Sequence, residues 1–190
     1  MKGACLLIFK KLGLDSFAEM DTVHSFQKSK RVILTSFLTR EKLFLAFIMN
    51  RCTQGTVKLI FDKLEHQLGT YDFLKLYNVI LTDRDAEFGN PEALENGSCG
   101  IVRSIIYFCD PMRSGQKGGI EQTHTMLRMV LPRKTSFEFL TQWDLRTIID
   151  HINSTLRESL GNRTPYDVAL ERKRSIASPL TTISSFCGLW

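Results

Sequence analysis

One change of hydrophobic period, near residue 50, constrains the fold more than any other feature of the sequence. Residues 16–24, 31–38 and 41–49 are strand-like apolar runs, and the connection between the last two is short enough for a hairpin. Residues 54–68 then place apolar side chains at helical spacing. The sequence therefore predicts an antiparallel meander of three strands, followed by a helix.

The rest of the chain alternates short apolar runs with helical patterns. Residues 77–82 and 104–109 are predicted to be buried strands, with a small helix at 91–94 between them. A glycine-containing loop at 113–119 precedes the remaining predicted helices, which lie at 120–130, 144–157 and 165–172. This order predicts an α/β domain with a five-stranded mixed sheet and helices on both faces.

Composition narrows the class of protein further. Hydrophobic residues make up 43% and charged residues 24% of the 190 residues, which is a globular balance. A net charge of +5 favours a polyanionic partner only modestly. The five cysteines include no C-x-x-C pair and no Cys/His spacing of a zinc site, so free thiols in a reducing cytoplasm are expected. No apolar run has membrane-spanning length, and a soluble protein is predicted.

Three carboxylates occupy special places in this order. Asp21 lies inside the first strand, Asp83 follows the fourth, and Glu121 opens the helix after the glycine loop. Taken singly, each has an ordinary explanation as a surface, turn or helix-start residue. If they converge, two charges about 4 Å apart repel by about 4 kcal/mol at an effective dielectric of about 20. Divalent cations relieve that repulsion, and an all-oxygen ligand set favours Mg²⁺ or Mn²⁺.

The strings around these acids carry a family resemblance. They are EMDTVHS at 19–25, LTDRDAEFGN at 81–90, DPMRSGQKGGIEQTHTMLR at 110–128 and HINSTLRESLGNRTPYDV at 151–168. In this order they resemble insertion-sequence transposases of the IS-thirty type, within the retroviral-integrase-like superfamily. Asp21, Asp83 and Glu121 match the first, second and third family acids.

The resemblance implies a ribonuclease H-like fold and a DDE transposase that cleaves DNA and transfers strands. Water first attacks a phosphodiester at an element end, and the freed 3′-hydroxyl then attacks target DNA. Two Mg²⁺ or Mn²⁺ ions are implied, with Asp21 shared between them and Asp83 and Glu121 each completing one side. His124, one turn after Glu121, either approaches this site or simply packs. The implied partners are DNA and further copies of the chain assembled on it.

Three basic residues are candidates for contact with DNA, namely Lys117, Arg113 and Arg128. Lys117 and Arg113 lie in the glycine loop at 113–119, where the ordinary alternative is a solvated side chain. Arg128 lies on the helix face of Glu121 and is expected to line a DNA channel. Asn153 and Arg163 match recurring family positions, where structural or DNA-backbone roles are expected.

The sequence also departs from the family pattern. The family usually has D-N-G after the fourth strand, whereas this chain has Asp83-Arg84-Asp85, so Asp85 is an alternative to Asp83 as the second acid. The offset to Glu87-Phe88 favours Asp83. The loop before Glu121 also lacks the aromatic residue that is common in the family.

The predicted organisation has four parts: an N-terminal extension at 1–15, the catalytic core at 16–135, C-terminal helices packed on the core at 136–172, and a flexible tail at 173–190. Only 20 residues precede Asp21, so a truncated transposase without the N-terminal DNA-binding domain is expected, in a bacterial cytoplasm near the nucleoid. The alternatives are a catalytically silent remnant that binds DNA or transposase subunits, and a host nuclease of the same fold.

Overall fold

The computed structural model describes residues 16–25, 29–97, 100–110 and 114–176. The strands are β1 Ala18–His24, β2 Val32–Leu38, β3 Leu43–Met49, β4 Val79–Thr82 and β5 Ile105–Phe108. The helices are α1 Gln54–Leu68, α2 Thr70–Tyr77, α3 Pro91–Glu95, α4 Gly118–Val130, α5 Gln142–Asn153 and α6 Pro165–Ile176. Short 3-10 turns lie at Ala86–Phe88, Ser114–Lys117 and Glu158–Leu160. Within these ranges, no helix is long and apolar enough to cross a membrane.

The strands form one mixed sheet in the order β3-β2-β1-β4-β5. The first three are antiparallel, as the sequence predicts, and β4 and β5 run parallel to β1. A parallel neighbour requires a crossover connection, which α1 and α2 supply between β3 and β4. The crossover places the C-terminal ends of β1 and β4 at the same edge of the sheet.

Helices cover both faces of this sheet, which confirms the predicted fold class. One apolar cluster joins the sheet to α1, α2, α3 and α6, with Met20, Phe61 and Phe73 among its buried members. A second cluster, on the opposite face, joins it to α4 and α5 and includes Ile120 and Ile149. Side chains that alternate along β1 therefore point into two different environments.

Two amide side chains of α5 cover the exposed edge of β3. Gln142 accepts a hydrogen bond from the Ile48 N–H (2.9 Å) and donates one to the Ala46 carbonyl (3.0 Å). Asn153 accepts from the Phe44 N–H (3.0 Å) and donates to the Phe44 carbonyl (2.7 Å). Unpaired edge groups are an aggregation hazard, so these amides take the place of a further strand. Asn153 therefore has a structural role, which is one of the two kinds of role expected for it.

Asn153→Ala is expected to lower the free energy of unfolding by about 2–4 kcal/mol, because both buried backbone groups of Phe44 lose their side-chain partner. Urea denaturation measures the change. Asn96→Ala is the control, because that amide donates to an exposed helix carbonyl and should change stability by only about 0.5 kcal/mol. Equal effects of the two substitutions would show that water replaces the Asn153 amide.

The predicted helices were wrong in three places. Helix α2 is absent from the predicted elements; Gly69, with φ +80°, ends α1 and directly precedes α2. Helix α5 begins at Gln142 after the cap Thr141, before the predicted start at residue 144, because Thr141 and Asp144 form a capping box. The same helix ends at Asn153, before the predicted end at residue 157, and Leu156 beyond it is exposed.

Only part of the predicted organisation at the two ends of the chain falls on described residues. Residues 1–15 and 177–190 lie outside the described residues. Helix α6 continues to Ile176, past residue 173, where the tail is predicted to start. Arg163, the other family-matched position, forms a 2.6 Å salt bridge with Glu171 on α6.

Candidate catalytic site

The first two predicted acids come from neighbouring parallel strands. Asp21 lies on β1, and Asp83 directly follows β4. The register pairs Glu19 with Leu81, and its continuation brings Asp21 level with Asp83. Alternation along β1 puts Asp21 on the same face as Val23, which packs in the cluster with α4. The two carboxylates therefore converge at one edge of the sheet.

Lys117 joins these two carboxylates. Its Nζ lies 3.1 Å from Asp21 Oδ2 and 2.7 Å from Asp83 Oδ2, and the residue is only 6% exposed. Burial by itself would lower the pKa of Lys117, but the charges of Asp21 and Asp83 and their hydrogen bonds outweigh burial and raise it. The ammonium thus stays charged and occupies a cation position between the acids. The lysine predicted as a loop contact for DNA is buried against the acids, and its contact with DNA stays a prediction.

The third predicted acid, Glu121, lies in the first turn of α4, four residues after Lys117. Its side chain is exposed and lines a cleft together with Thr22 and His24 of β1. Within the described ranges, the Glu121 carboxylate has no hydrogen-bond or salt-bridge partner. Its carboxylate is therefore available to a ligand beside the strand that carries Asp21.

A buried carboxylate on β1 fixes the start of α4. Glu19 Oε2 accepts a 2.6 Å hydrogen bond from the Ile120 N–H, which is one of the unpaired donors of a first helical turn. Burial raises the pKa of Glu19 to about 7, against the opposing effect of this hydrogen bond and nearby lysines. The role of Glu19 could not be predicted, because an acid at a buried strand position has no distinguishing local pattern.

Gly119 allows α4 to approach the sheet this closely. A Cβ at this position would lie 2.2 Å from Phe37 Cε1 and 3.1 Å from Glu19 Oε2. Gly119→Ala is therefore expected to lower the free energy of unfolding by about 1–3 kcal/mol through overpacking, as measured by chemical denaturation. Gly118→Ala is the matched control, because nothing lies within 4 Å of its Cβ; equal losses in both variants would assign the effect to the backbone.

His124 packs near Asp21 and helps to hold the strand that carries it. Its Nε2 lies 2.8 Å from Thr35 Oγ1, and that hydroxyl donates its single hydrogen to the Asp21 carbonyl (2.9 Å). The imidazole must then donate from Nε2. Burial lowers the pKa of His124 to about 4, although the charge of Asp21 opposes this shift. A neutral His124 thus holds the backbone of the strand that carries Asp21.

Asp85, the alternative second acid, is placed differently from Asp83. It is exposed, and its N–H lies 3.4 Å from Asp83 Oδ1. Burial and the charges of Asp83, Glu87 and Asp21 raise the pKa of Asp85, whereas Lys117 lowers it. Asp83, not Asp85, shares the Lys117 ammonium with Asp21. This geometry favours Asp83 as the second ligand.

The cleft beside Glu121 has several basic side chains on its border. It has a volume of about 900 Å³ and is bordered by Arg128, Arg133 and Lys134 as well as by His24. Arg128 donates to the His24 carbonyl (2.7 Å), so it fixes the end of β1 while it lines the cleft. Arg133 and Lys134 are not among the residues predicted from the sequence to contact DNA. Arg113, the remaining predicted DNA contact, lies outside the described residues.

A second group of polar side chains lies on the opposite face of β1. Thr22 Oγ1 donates to Glu87 Oε1 (2.7 Å) and lies 3.2 Å from His24 Nε2. The Cys52 thiol also hydrogen-bonds Glu87, and burial followed by that contact raises the pKa of Cys52 to about 12. Spacing along the sequence could not reveal this group, because its members come from three separate segments.

The chain has sequence matches to curated proteins and structural matches to solved ones. No family model matches the chain. The chain is 36% identical over 63 residues to the transposase for insertion sequence element IS1086 of Cupriavidus metallidurans, a match that covers 33% of this chain and 19% of that protein. It is 33% identical over 63 residues to transposase InsI for insertion sequence element IS30A of Escherichia coli, over 33% of this chain and 16% of that protein.

A longer match of 153 residues, 25% identical, is to a putative integrase of Spiroplasma virus SpV1-R8A2 B and covers 80% of this chain and 45% of that protein. The chain thus spans less than half the length of each of these curated relatives. The fold is similar to the catalytic core domain of BIV integrase, with a TM-score of 0.58, 19% identity and coverage of 84% of this chain and 96% of that one. A simian T-cell lymphotropic virus intasome gives a TM-score of 0.61, 15% identity and coverage of 88% and 56%.

Proposed function

Since the chain carries an integrase-like core domain related to that of IS30-type transposases, we propose that it is the catalytic core of a DDE transposase, which cleaves DNA strands and joins them to target DNA. Asp21, Asp83 and Glu121 are the proposed catalytic acids. The observation that supports this proposal best is the single ammonium held by Asp21 and Asp83. Two acids at adjacent strand ends that share one ammonium are also suited to share a divalent metal ion.

The donor set fits Mg²⁺ or Mn²⁺. Carboxylate oxygens are the ligands that these ions prefer, and Asp21, Asp83 and Glu121 offer only oxygens. When bound, a pair of such ions supplies Lewis-acid stabilisation of the charge that builds on the phosphodiester oxygens. Lys117 would then leave the acid pair, since its ammonium holds the same oxygens.

The remaining residues bind and position DNA in this proposal. Arg128, Arg133 and Lys134 border the cleft next to Glu121 and are suited to neutralise the phosphates of an element end or of target DNA. Water would attack a phosphodiester and release a 3′-hydroxyl, which would then attack target DNA, so no covalent link between protein and DNA is needed. His124 and Glu19 would hold β1 and the start of α4, and thereby Asp21 and Glu121, in place.

The test is nicking of supercoiled plasmid in the presence of Mn²⁺. Asp83→Asn is expected to reduce nicking to the level of a protein-free reaction, because the amide cannot supply an anionic ligand. Asp72→Asn, which alters an acid of α2 on the opposite side of the sheet, should nick like the wild type. Equal nicking by wild type and Asp83→Asn would remove Asp83 from the mechanism.

A second candidate function is a silent remnant that binds DNA or transposase subunits. It is favoured by Asp85, an additional acid beside Asp83 where the family usually has a glycine. Such a protein would shift DNA in a gel without cutting it at any Mn²⁺ concentration. Detection of strand-transfer products from a pre-cut element end would exclude this alternative.

A further inference from the structure

The face of β1 that carries Thr22 and His24 adjoins a cluster of potential metal ligands that does not include the three proposed catalytic acids. The donor atoms of His24, Cys52 and Glu87 all lie within 4.8 Å of one another. His24 ends β1, Cys52 precedes the cap Thr53 of α1, and Glu87 lies in the 3-10 turn after β4. These three residues, called here the His24 cluster, therefore bring together three segments that are distant along the chain.

Among the described residues, the buried Glu87 carboxylate of the His24 cluster has no cationic partner. Glu87 is 6% exposed, and its contacts are the Thr22 hydroxyl and the Cys52 thiol. Within the ranges that the structure describes, no lysine or arginine forms a salt bridge with Glu87. A buried carboxylate paired only with neutral donors is costly, so a cation bound here would stabilise the fold.

The kinds of ligand select the class of cation. A thiol, an imidazole and a carboxylate form the mixed sulfur, nitrogen and oxygen set that Zn²⁺ accepts and that Mg²⁺ avoids. Zinc binds such donors at about 2.0–2.3 Å, so the three atoms must move somewhat closer together. The exposed His24 side chain can supply that movement. Three protein ligands leave a fourth tetrahedral position for water or the adjacent Thr22 hydroxyl.

We propose that His24, Cys52 and Glu87 bind one ion of the zinc class, with release of the Cys52 thiol proton to solvent. The ion would fasten the end of β1 to the start of α1 and to the turn after β4. Thr22 adjoins Asp21, and Glu87 follows Asp83 in the same turn region. The bound ion would therefore stiffen the two segments that carry the acids. This proposal does not depend on the proposed function, since a catalytically silent chain could bind the same ion.

Cobalt(II) titration tests the proposal, because coordination of cobalt by a thiolate produces a near-ultraviolet charge-transfer band that carboxylates cannot produce. The full chain is used with Cys5, Cys99 and Cys187 replaced by serine, which removes the thiols outside the described residues. One equivalent of Co²⁺ should saturate the band, and stoichiometric Zn²⁺ should abolish it. Glu87→Gln and His24→Asn should each weaken Co²⁺ binding by at least about tenfold, while Cys52→Ser should remove the band.

Two controls separate this site from other binding. Cys109→Ser should keep the band, because that thiol packs against Val79 and Leu81 away from the cluster. Asp83→Asn should also keep the band, even if it abolishes nicking. Circular dichroism of each metal-free variant establishes that it is folded, and Glu87→Gln serves as the test if Cys52→Ser does not fold. A band that survives Cys52→Ser, or no band with Co²⁺ in tenfold excess, would overturn the proposal.

Discussion

Arg103→Ala is expected to lower the free energy of unfolding by about 3–5 kcal/mol, the cost of removing one partner of a buried ion pair. Arg103 is 0% exposed, and its Nη1 donates to Asp62 (2.8 Å) and Glu65 (2.9 Å). Its Nε donates to the Leu94 carbonyl (2.9 Å). The side chain thus connects α1 to α3 next to β5, and its loss leaves the buried Glu65 carboxylate without a cation.

Chemical denaturation of three variants separates charge from packing. Arg103→Met combined with Glu65→Gln should recover part of the loss, because it removes the uncompensated charge. Arg163→Ala is the control for a surface pair of similar length, 2.6 Å to Glu171, and should cost less than about 1 kcal/mol. A loss for Arg103→Ala no larger than that of Arg163→Ala would show that water reaches Glu65 and replaces the guanidinium.

The sequence carries enough information to place each of the three acids on its element of the fold. The hydrophobic period predicts that Asp21 lies inside the first strand, that Asp83 follows the fourth, and that Glu121 opens the helix after the glycine loop, as the structure has them. These placements could be predicted because the residue period distinguishes strands from helices. The 3.6-residue period likewise predicts α1 from Gln54 to Leu68.

Pairings between distant residues could not be predicted in the same way. A lysine among glycines looks like a solvated loop residue, yet Lys117 is buried between two acids. Arg103 stands in an apolar run, and nothing local indicates that Glu65 neutralises it. Cys52 and Glu87 come from separate segments and show no local spacing of a metal site. Each of these contacts joins segments that are distant along the chain, so it follows from the topology of the fold and not from a local pattern.

Lys117→Met is expected to tighten Mn²⁺ binding to the DNA-free protein by about tenfold. The ammonium holds Asp21 and Asp83 at 3.1 and 2.7 Å, so a divalent ion must displace it. Partly exposed ion pairs contribute up to about 1 kcal/mol each. Since about 1.4 kcal/mol corresponds to a tenfold change in affinity, loss of both pairs supports an effect of this size. Titration calorimetry with MnCl₂ measures it.

Thermal unfolding gives an independent measure of the same competition. Without metal, Lys117→Met should be less stable than the wild type, because two adjacent carboxylates lose their shared cation. With Mn²⁺ the deficit should shrink, since an ion that binds only the folded state stabilises it in proportion to RT ln(1 + [L]/Kd). Lys58→Met removes a 2.6 Å pair with Asp62 on α1 and should leave the Mn²⁺-induced shift unchanged. Equal Mn²⁺-induced shifts in the wild type and Lys117→Met would mean that metal and ammonium do not compete for one position.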